Sequence, residues 1–171
     1  MRNELMKLLS ANQRKWLKSF HLLTAGFWVT SGSIILAFQI LSKKITDGNY
    51  LYMLNYLSDF IDMKILVPSA LSCLFTGLIY SLFTNWGFFK HRWLTFKWII
   101  TVTIITMGTI WTGPWIAEMT KLSGQYGMEV LKNNYYLQIS RNQFIMGLLM
   151  NVTLIVTIFI SVFKPCKKAK L

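Results

Sequence analysis

The chain has 171 residues, of which 54% are apolar and only 14% charged, with 18 lysines and arginines against 6 aspartates and glutamates. Soluble domains carry about 25% charge, so this composition excludes a disordered polymer and argues against an ordinary soluble domain. Four membrane spans of about 20 residues would use roughly half the chain, in line with its apolar fraction. The formal charge of +12 does not point to nucleic acid, because the basic residues gather at the ends of apolar runs and form no patch interleaved with aromatics.

Residues 1 to 18 place Leu5, Leu8, Leu9 and Trp16 near one helical face and Arg14, Lys15 and Lys18 around the others. That pattern predicts an amphipathic interfacial helix leading into the membrane. The first span is expected over residues 17–41; it runs too long without a small-x-small cleavage site to be a removable signal peptide. Residues 42–63 carry turn signals at Asp47 and Gly48 and read as a loop with one surface helix. A second span over 65–83 opens with Pro68 in its first turn. After a short connector, a third span over 93–115 is expected to stop at Gly113 and Pro114. The polar stretch 117–142 leads to a fourth span over 144–163 and a lysine-rich tail. The fold expected is all-α: a single four-helix transmembrane bundle.

Orientation follows from Lys and Arg near the span ends, since basic residues resist export. The N-terminal segment has five (Arg2, Lys7, Arg14, Lys15, Lys18), the connector has Lys90 and Arg92, and the tail has four. Both termini and the connector are therefore expected in the cytoplasm, with the protein multi-pass in the cytoplasmic (inner) membrane.

Polar side chains are costly in hydrocarbon, so the few within the spans carry the information. His21, Thr24, Trp28, Ser31 and Ile35 form a stripe at helical spacing that is expected to face the bundle, and Ser69, Cys73 and Gly77 form a small-residue ridge suited to close helix contact. Lys97, Thr101, Gly108 and Trp111 are expected on one side of the third span. Asn151 reads as an interhelical hydrogen-bonding residue. Cys73 and Cys166 have neither the spacing nor the setting of a disulfide. No carboxylate falls inside a predicted span, and no CxxC, HExxH or glycine-rich phosphate loop is present.

The two histidines are the most specific feature. His21 lies about one turn inside the first span and His91 in the connector, so the topology puts both on one side of the membrane. A neutral imidazole in a bundle core can hold haem iron. The competing readings are a bond to a neighbouring hydroxyl or interfacial water for His21, and contact with lipid headgroups for His91. Lys97 can equally snorkel to the interface.

The segment Asn85-Trp-Gly-Phe-Phe-Lys-His-Arg-Trp-Leu-Thr-Phe-Lys97, together with His21 and Trp28, resembles a family of bacterial four-span membrane proteins. In that family a Trp-Gly, a basic-His pair and a Trp-x-x-x-Lys recur after a first span with His and, seven residues later, Trp. The likeness covers roughly residues 18 to 113. More distantly, His21 with Trp28 and Trp93 with Lys97 look like the pattern of the J-type protoporphyrinogen oxidases and the copper-resistance D-type membrane domains. The chain departs from the oxidase type in having longer outer loops and no clear intramembrane arginine. What the resemblance implies is a bundle that binds haem b. His21 would be the leading metal ligand, and His91 or a methionine such as Met107 or Met146 the second. Lys97 and Arg92 would pair with the propionates, and Trp28, Trp93 and Trp98 would supply flat apolar wall. The partners expected are the lipid bilayer, haem or a porphyrin and, in a homo-oligomer, a second copy of the chain. Alternative readings are a protoporphyrinogen-oxidising enzyme at the same site, or a membrane partner or small transporter without a cofactor.

Overall fold

A computed structural model describes residues 9–83 and 92–163. Within them the chain is all helical, and four helices are long and apolar enough to cross a membrane, which makes this a multi-pass membrane protein. The first is α1 (Ala11–Ser42). The second joins α2 (Gly48–Ile61) to α3 (Val67–Phe83) through a π turn at Asp62–Leu66. The third joins α4 (Arg92–Met107) to α5 (Gly113–Tyr126) through a π turn at Gly108–Thr112. A short 3-10 segment, Gly127–Lys132, leads into the last helix, α6 (Asn134–Phe163).

The helices run alternately up and down. Thr76 of α3 lies beside His21 near the start of α1, Asn151 of α6 lies beside Val29, and Gly147 lies against Leu36. We call the end where α1 begins and α6 finishes the terminal end, and the opposite end distal. At 32 residues, α1 is about 48 Å long and exceeds a hydrocarbon core of about 30 Å. The bundle therefore continues past the membrane at its distal end.

This length corrects the boundaries expected from sequence. The surface helix expected within residues 42–63 is instead a continuation of the second span, residues 117–126 of the expected polar stretch are helix, and Gly113-Pro114 does not stop the third span. The cause is shared by both sites. A proline inside a helix donates no backbone hydrogen bond and its ring clashes with the carbonyl four residues earlier. Each π turn ends two residues before a proline, Pro68 or Pro114, and lets the helix absorb the clash by widening instead of ending. In each, an i to i+5 bond carries the register: Val67 N–H donates to the Asp62 carbonyl, and Gly113 N–H to that of Gly108.

The expected interfacial helix over residues 1–18 is not a separate element in its described part. A capping box starts α1 at Ser10, whose hydroxyl accepts from Gln13 N–H while Gln13 Oε1 accepts from Ser10 N–H. From Ala11 the helix runs straight into the span, with Trp16 fully out at its start.

Two cores fill the bundle. The membrane half packs Trp28, Ala70, Cys73, Ile104 and Leu154. The distal half packs Leu51, Met119, Leu122, Val130, Tyr136 and Ile139. A buried polar node, Asn55, ties three helices together there: its amide donates to Ser123 Oγ and to Tyr136 Oη, each at 3.0 Å. At the distal tip Gly127 has φ of +52°, a region that disfavours L side chains, and the backbones of Gly48 and Gly127 lie in contact.

Asn151 is the interhelical link its sequence position suggested. Its amide donates to the Val29 carbonyl at 3.1 Å, and its Oδ1 accepts from Ser33 Oγ at 3.4 Å. Gly32 makes the approach possible, since a Cβ there would sit 2.6 Å from Asn151 Nδ2. Gly32→Ala is expected to displace Asn151 and destabilise the bundle by about 1–2 kcal/mol, because interhelical hydrogen bonds in membranes contribute up to about 1.7 kcal/mol and the added methyl also overpacks. Unfolding midpoints in mixed micelles measure this, and Ser33→Ala should cost less.

Candidate functional site

Two polar places interrupt the membrane half of the bundle. The first surrounds His21. The stripe expected to face inward does so: Thr24, Trp28, Ser31 and Ile35 are buried, Gln39 continues the line, and His21 is half-buried at its start. The small-residue ridge of α3 receives it. His21 Nδ1 is 2.7 Å from Thr76 Oγ1, Cys73 Sγ is 3.8 and 3.9 Å from the two ring nitrogens, and a Cβ on Gly77 would meet Cε1 at 3.8 Å.

The bond to a neighbouring hydroxyl, the competing reading for His21, is therefore present, and what the other ring nitrogen can do follows from where the Thr76 proton goes. Thr76 has one hydroxyl proton, and the hydroxyl is placed to donate it to the Ser72 carbonyl at 2.8 Å or the Cys73 carbonyl at 3.0 Å. Its oxygen is then the acceptor for His21, so Nδ1 carries the hydrogen and Nε2 keeps a lone pair. An imidazole held by a hydroxyl at one nitrogen, with only the Cys73 thiol 3.9 Å from the other, has an arrangement open to a metal-ligating role.

Lys97, half-buried on α4, lies within electrostatic range of both His21 and Cys73. Trp28 stands two turns along α1 from His21, about 10 Å, and packs between α3 and α4. Trp93 and Trp98 are half-buried on α4, where Trp98 Nε1 donates to Ser81 Oγ at 3.3 Å and closes α4 onto α3. Arg92 is exposed at the first residue of α4. His91 lies outside the described residues. Of the expected methionines, Met107 is ten residues beyond Lys97, about 15 Å along α4, and Met146 is one turn distal to Met150, the residue that meets Gly108. Neither is level with His21. Trp111, expected on the same side as Lys97, instead faces outward and is 44% exposed.

Among the described residues no three His, Cys, Asp or Glu side chains converge as a metal cage would require. Haem iron makes a smaller demand, one or two protein ligands, because the porphyrin supplies four. An Nε2 lone pair with a nearby cation fits that donor set.

The second place was not anticipated. The continuity of α2 and α3 carries Asp62 into the bundle, where it is 6% exposed, so a carboxylate does lie within a helix long and apolar enough to span. It borders a cavity of about 490 Å³ between the two π turns, with Asp59, Gln143, Thr112, Trp28 and Asn151 also on its walls. A sequence signal for it existed: Leu51, Asn55, Ser58 and Asp62, at steps of four, three and four, are all buried, and they are the inner face of a single continuing helix.

Comparison of the chain with protein-family profiles, with curated proteins and with solved structures finds no match.

Proposed function

We propose that the protein binds haem in the cytoplasmic membrane, with His21 as the axial ligand. The observation that carries this reading is the 2.7 Å contact of His21 Nδ1 with Thr76 Oγ1, whose hydroxyl is within reach of the Ser72 and Cys73 carbonyls; with that proton given to a carbonyl, Nε2 is the nitrogen left to act as a donor to iron. Lys97 supports it by placing a cation on the same side of α4, suited to a propionate. Bound haem would supply electron transfer or a recognisable ligand for sensing and sequestration. The chain's own part is to present one nitrogen, hold the ring against rotation through Thr76, and exclude water with Cys73, Thr24 and the packed α1–α3 contact. His91, which lies outside the described residues, is kept as the candidate for the second axial position; Met107 and Met146 are not level with His21.

The test is an absorption spectrum of protein purified from cells supplied with haem. A Soret band at about one haem per chain is expected; its absence after reconstitution with excess haem would overturn the reading. Sidedness is tested separately. In a background with Cys73→Ala and Cys166→Ser, a membrane-impermeant thiol reagent applied to intact cells should label Gln125→Cys and not Ser10→Cys, as the positive-inside rule requires. The reverse pattern would put the His21 site at the outer face.

A further inference from the structure

Helices two and three pack closely through α2 and α5, but below the two π turns α3 and α4 part. They meet again toward the terminal end, at the Trp98–Ser81 bond. The cavity fills the gap between these two points of closure. Its volume of about 490 Å³ is within the range of small-molecule sites, roughly 300–1,000 Å³.

Its walls are uneven in a particular way. Away from the π turns the wall is mostly apolar, with Trp28, Ile104, Ile105 and Leu154 beside Asn151, while Asp59 and Asp62 lie at the end near the first π turn. Among the described residues no lysine, arginine or histidine lines it. Among the described residues the Asp62 carboxylate has no hydrogen bond and no ion pair, and the two ion pairs found there both involve glutamates elsewhere. Gln143, 4% exposed, also lines the cavity, and its Oε1 is buried with no hydrogen-bond partner. One turn beyond Ile35 on the buried stripe of α1, the Gln39 amide is likewise buried with neither polar atom bonded.

Native interiors rarely leave buried acceptors unmatched, and each costs about 1–3 kcal/mol. Here Asp62, 6% exposed and unpaired, lines a void with the half-buried Asp59 beside it, so the charge presented there is negative. The chemistry that satisfies it is a cation, and the apolar remainder of the cavity asks for a ligand with an apolar body. The Asp62 carboxylate faces α5, where a Cβ on Gly113 would lie in ordinary van der Waals contact with Oδ2 at 3.5 Å. Helices interrupted at opposing positions are also how membrane proteins open backbone and space for a ligand.

We propose that this cavity is a binding site for a lipophilic organic cation, with Asp62 as its counter-charge and Trp28 as a flat cation-stabilising wall. The site is separate from His21, which does not line it.

The experiment is equilibrium dialysis of radiolabelled tetraphenylphosphonium against the full-length protein in lipid nanodiscs, with triphenylphosphine oxide as a neutral competitor. Saturable binding near one per chain is expected, and triphenylphosphine oxide should compete poorly. Asp62→Asn should weaken binding by roughly tenfold or more, the scale of losing a buried charge partner, whereas Asp62→Glu should keep it within about threefold. Should Asp62→Asn not fold, Asp59→Asn carries the test: Asp59 is only half-buried, and its loss should weaken binding by about threefold. Unsaturable uptake equal to that of empty nanodiscs would overturn the proposal, as would an affinity unchanged in Asp62→Asn or, where that variant does not fold, in Asp59→Asn.

Discussion

His21→Ala is expected to abolish the Soret band of the purified protein while leaving its helicity and monodispersity intact. The asymmetry follows from what the side chain does. As a ligand it provides a coordination bond that Thr24, Ser31 and Trp28 on the same helix cannot replace, since hydroxyls are poor iron ligands and an indole has no free lone pair. As a structural group it contributes one hydrogen bond to Thr76, about 1 kcal/mol, against two packed cores that remain. Thr76→Val separates ligand from orientation: the imidazole stays but loses the acceptor that holds its tautomer, so haem should be retained with affinity lowered by about 10–100-fold. Lys97→Ala should speed haem loss without shifting the band, because a propionate contact acts at the porphyrin edge. Equal haem content in wild type and His21→Ala would mean that the iron is held elsewhere, and would remove His21 from the site.

The largest effect on stability is expected from Asn55→Ala. Asn55 is 5% exposed and its amide donates to Ser123 and Tyr136, which are 1% and 3% exposed, so it links the second, third and fourth helices inside the distal core. Ser123 keeps its own donations to the Met119 and Thr120 carbonyls, but Tyr136 Oη is left buried without the partner it has now. Adding the small void to the stranded hydroxyl gives a loss of about 2–4 kcal/mol. Tyr136→Phe removes the hydroxyl itself and should cost only about 1 kcal/mol, and in the double variant the costs should fall short of their sum. Unfolding in graded SDS–detergent mixtures measures all three. A distal half that opens first should also be cut by protease between α5 and α6 before the membrane half yields. An Asn55→Ala variant within about 0.5 kcal/mol of wild type would show that the node is incidental.

Much of the site reading depended on periodicity that survives in a membrane. The stripe from His21 to Ile35 was legible because polar and small residues in a span have one favourable direction to point, toward other helices. The same logic placed Asn151 at an interhelical bond. It failed at Trp111, where an aromatic residue was grouped with polar ones by spacing alone, although lipid accepts an indole readily. It failed more consequentially at Pro68 and Pro114. Each was read by the ordinary grammar of helix ends, as a first turn and as a stop, and that grammar does not distinguish a helix that ends from one that widens into a π turn and continues. With the helix ended at residue 65, Asp62 became a loop residue and its cavity invisible.

Composition and the 3.6-residue period by themselves determined an all-helical chain with four spans and the inward face of the first. These follow from local free energies: the transfer of each side chain between water and hydrocarbon, and the need of every backbone group in lipid for an internal partner. Tertiary structure decided the rest. Whether a proline breaks or widens a helix depends on whether the residues beyond it have a core to pack against, and here Leu51, Met119, Leu122 and Tyr136 provide one. Which nitrogen of His21 keeps its lone pair depends on Thr76, 55 residues away in sequence, and on the carbonyls that claim its proton. The burial of Asp62 opposite Gly113 and Gln143 required three helices to converge while α3 and α4 separated, a balance of packing between distant segments that no local period encodes.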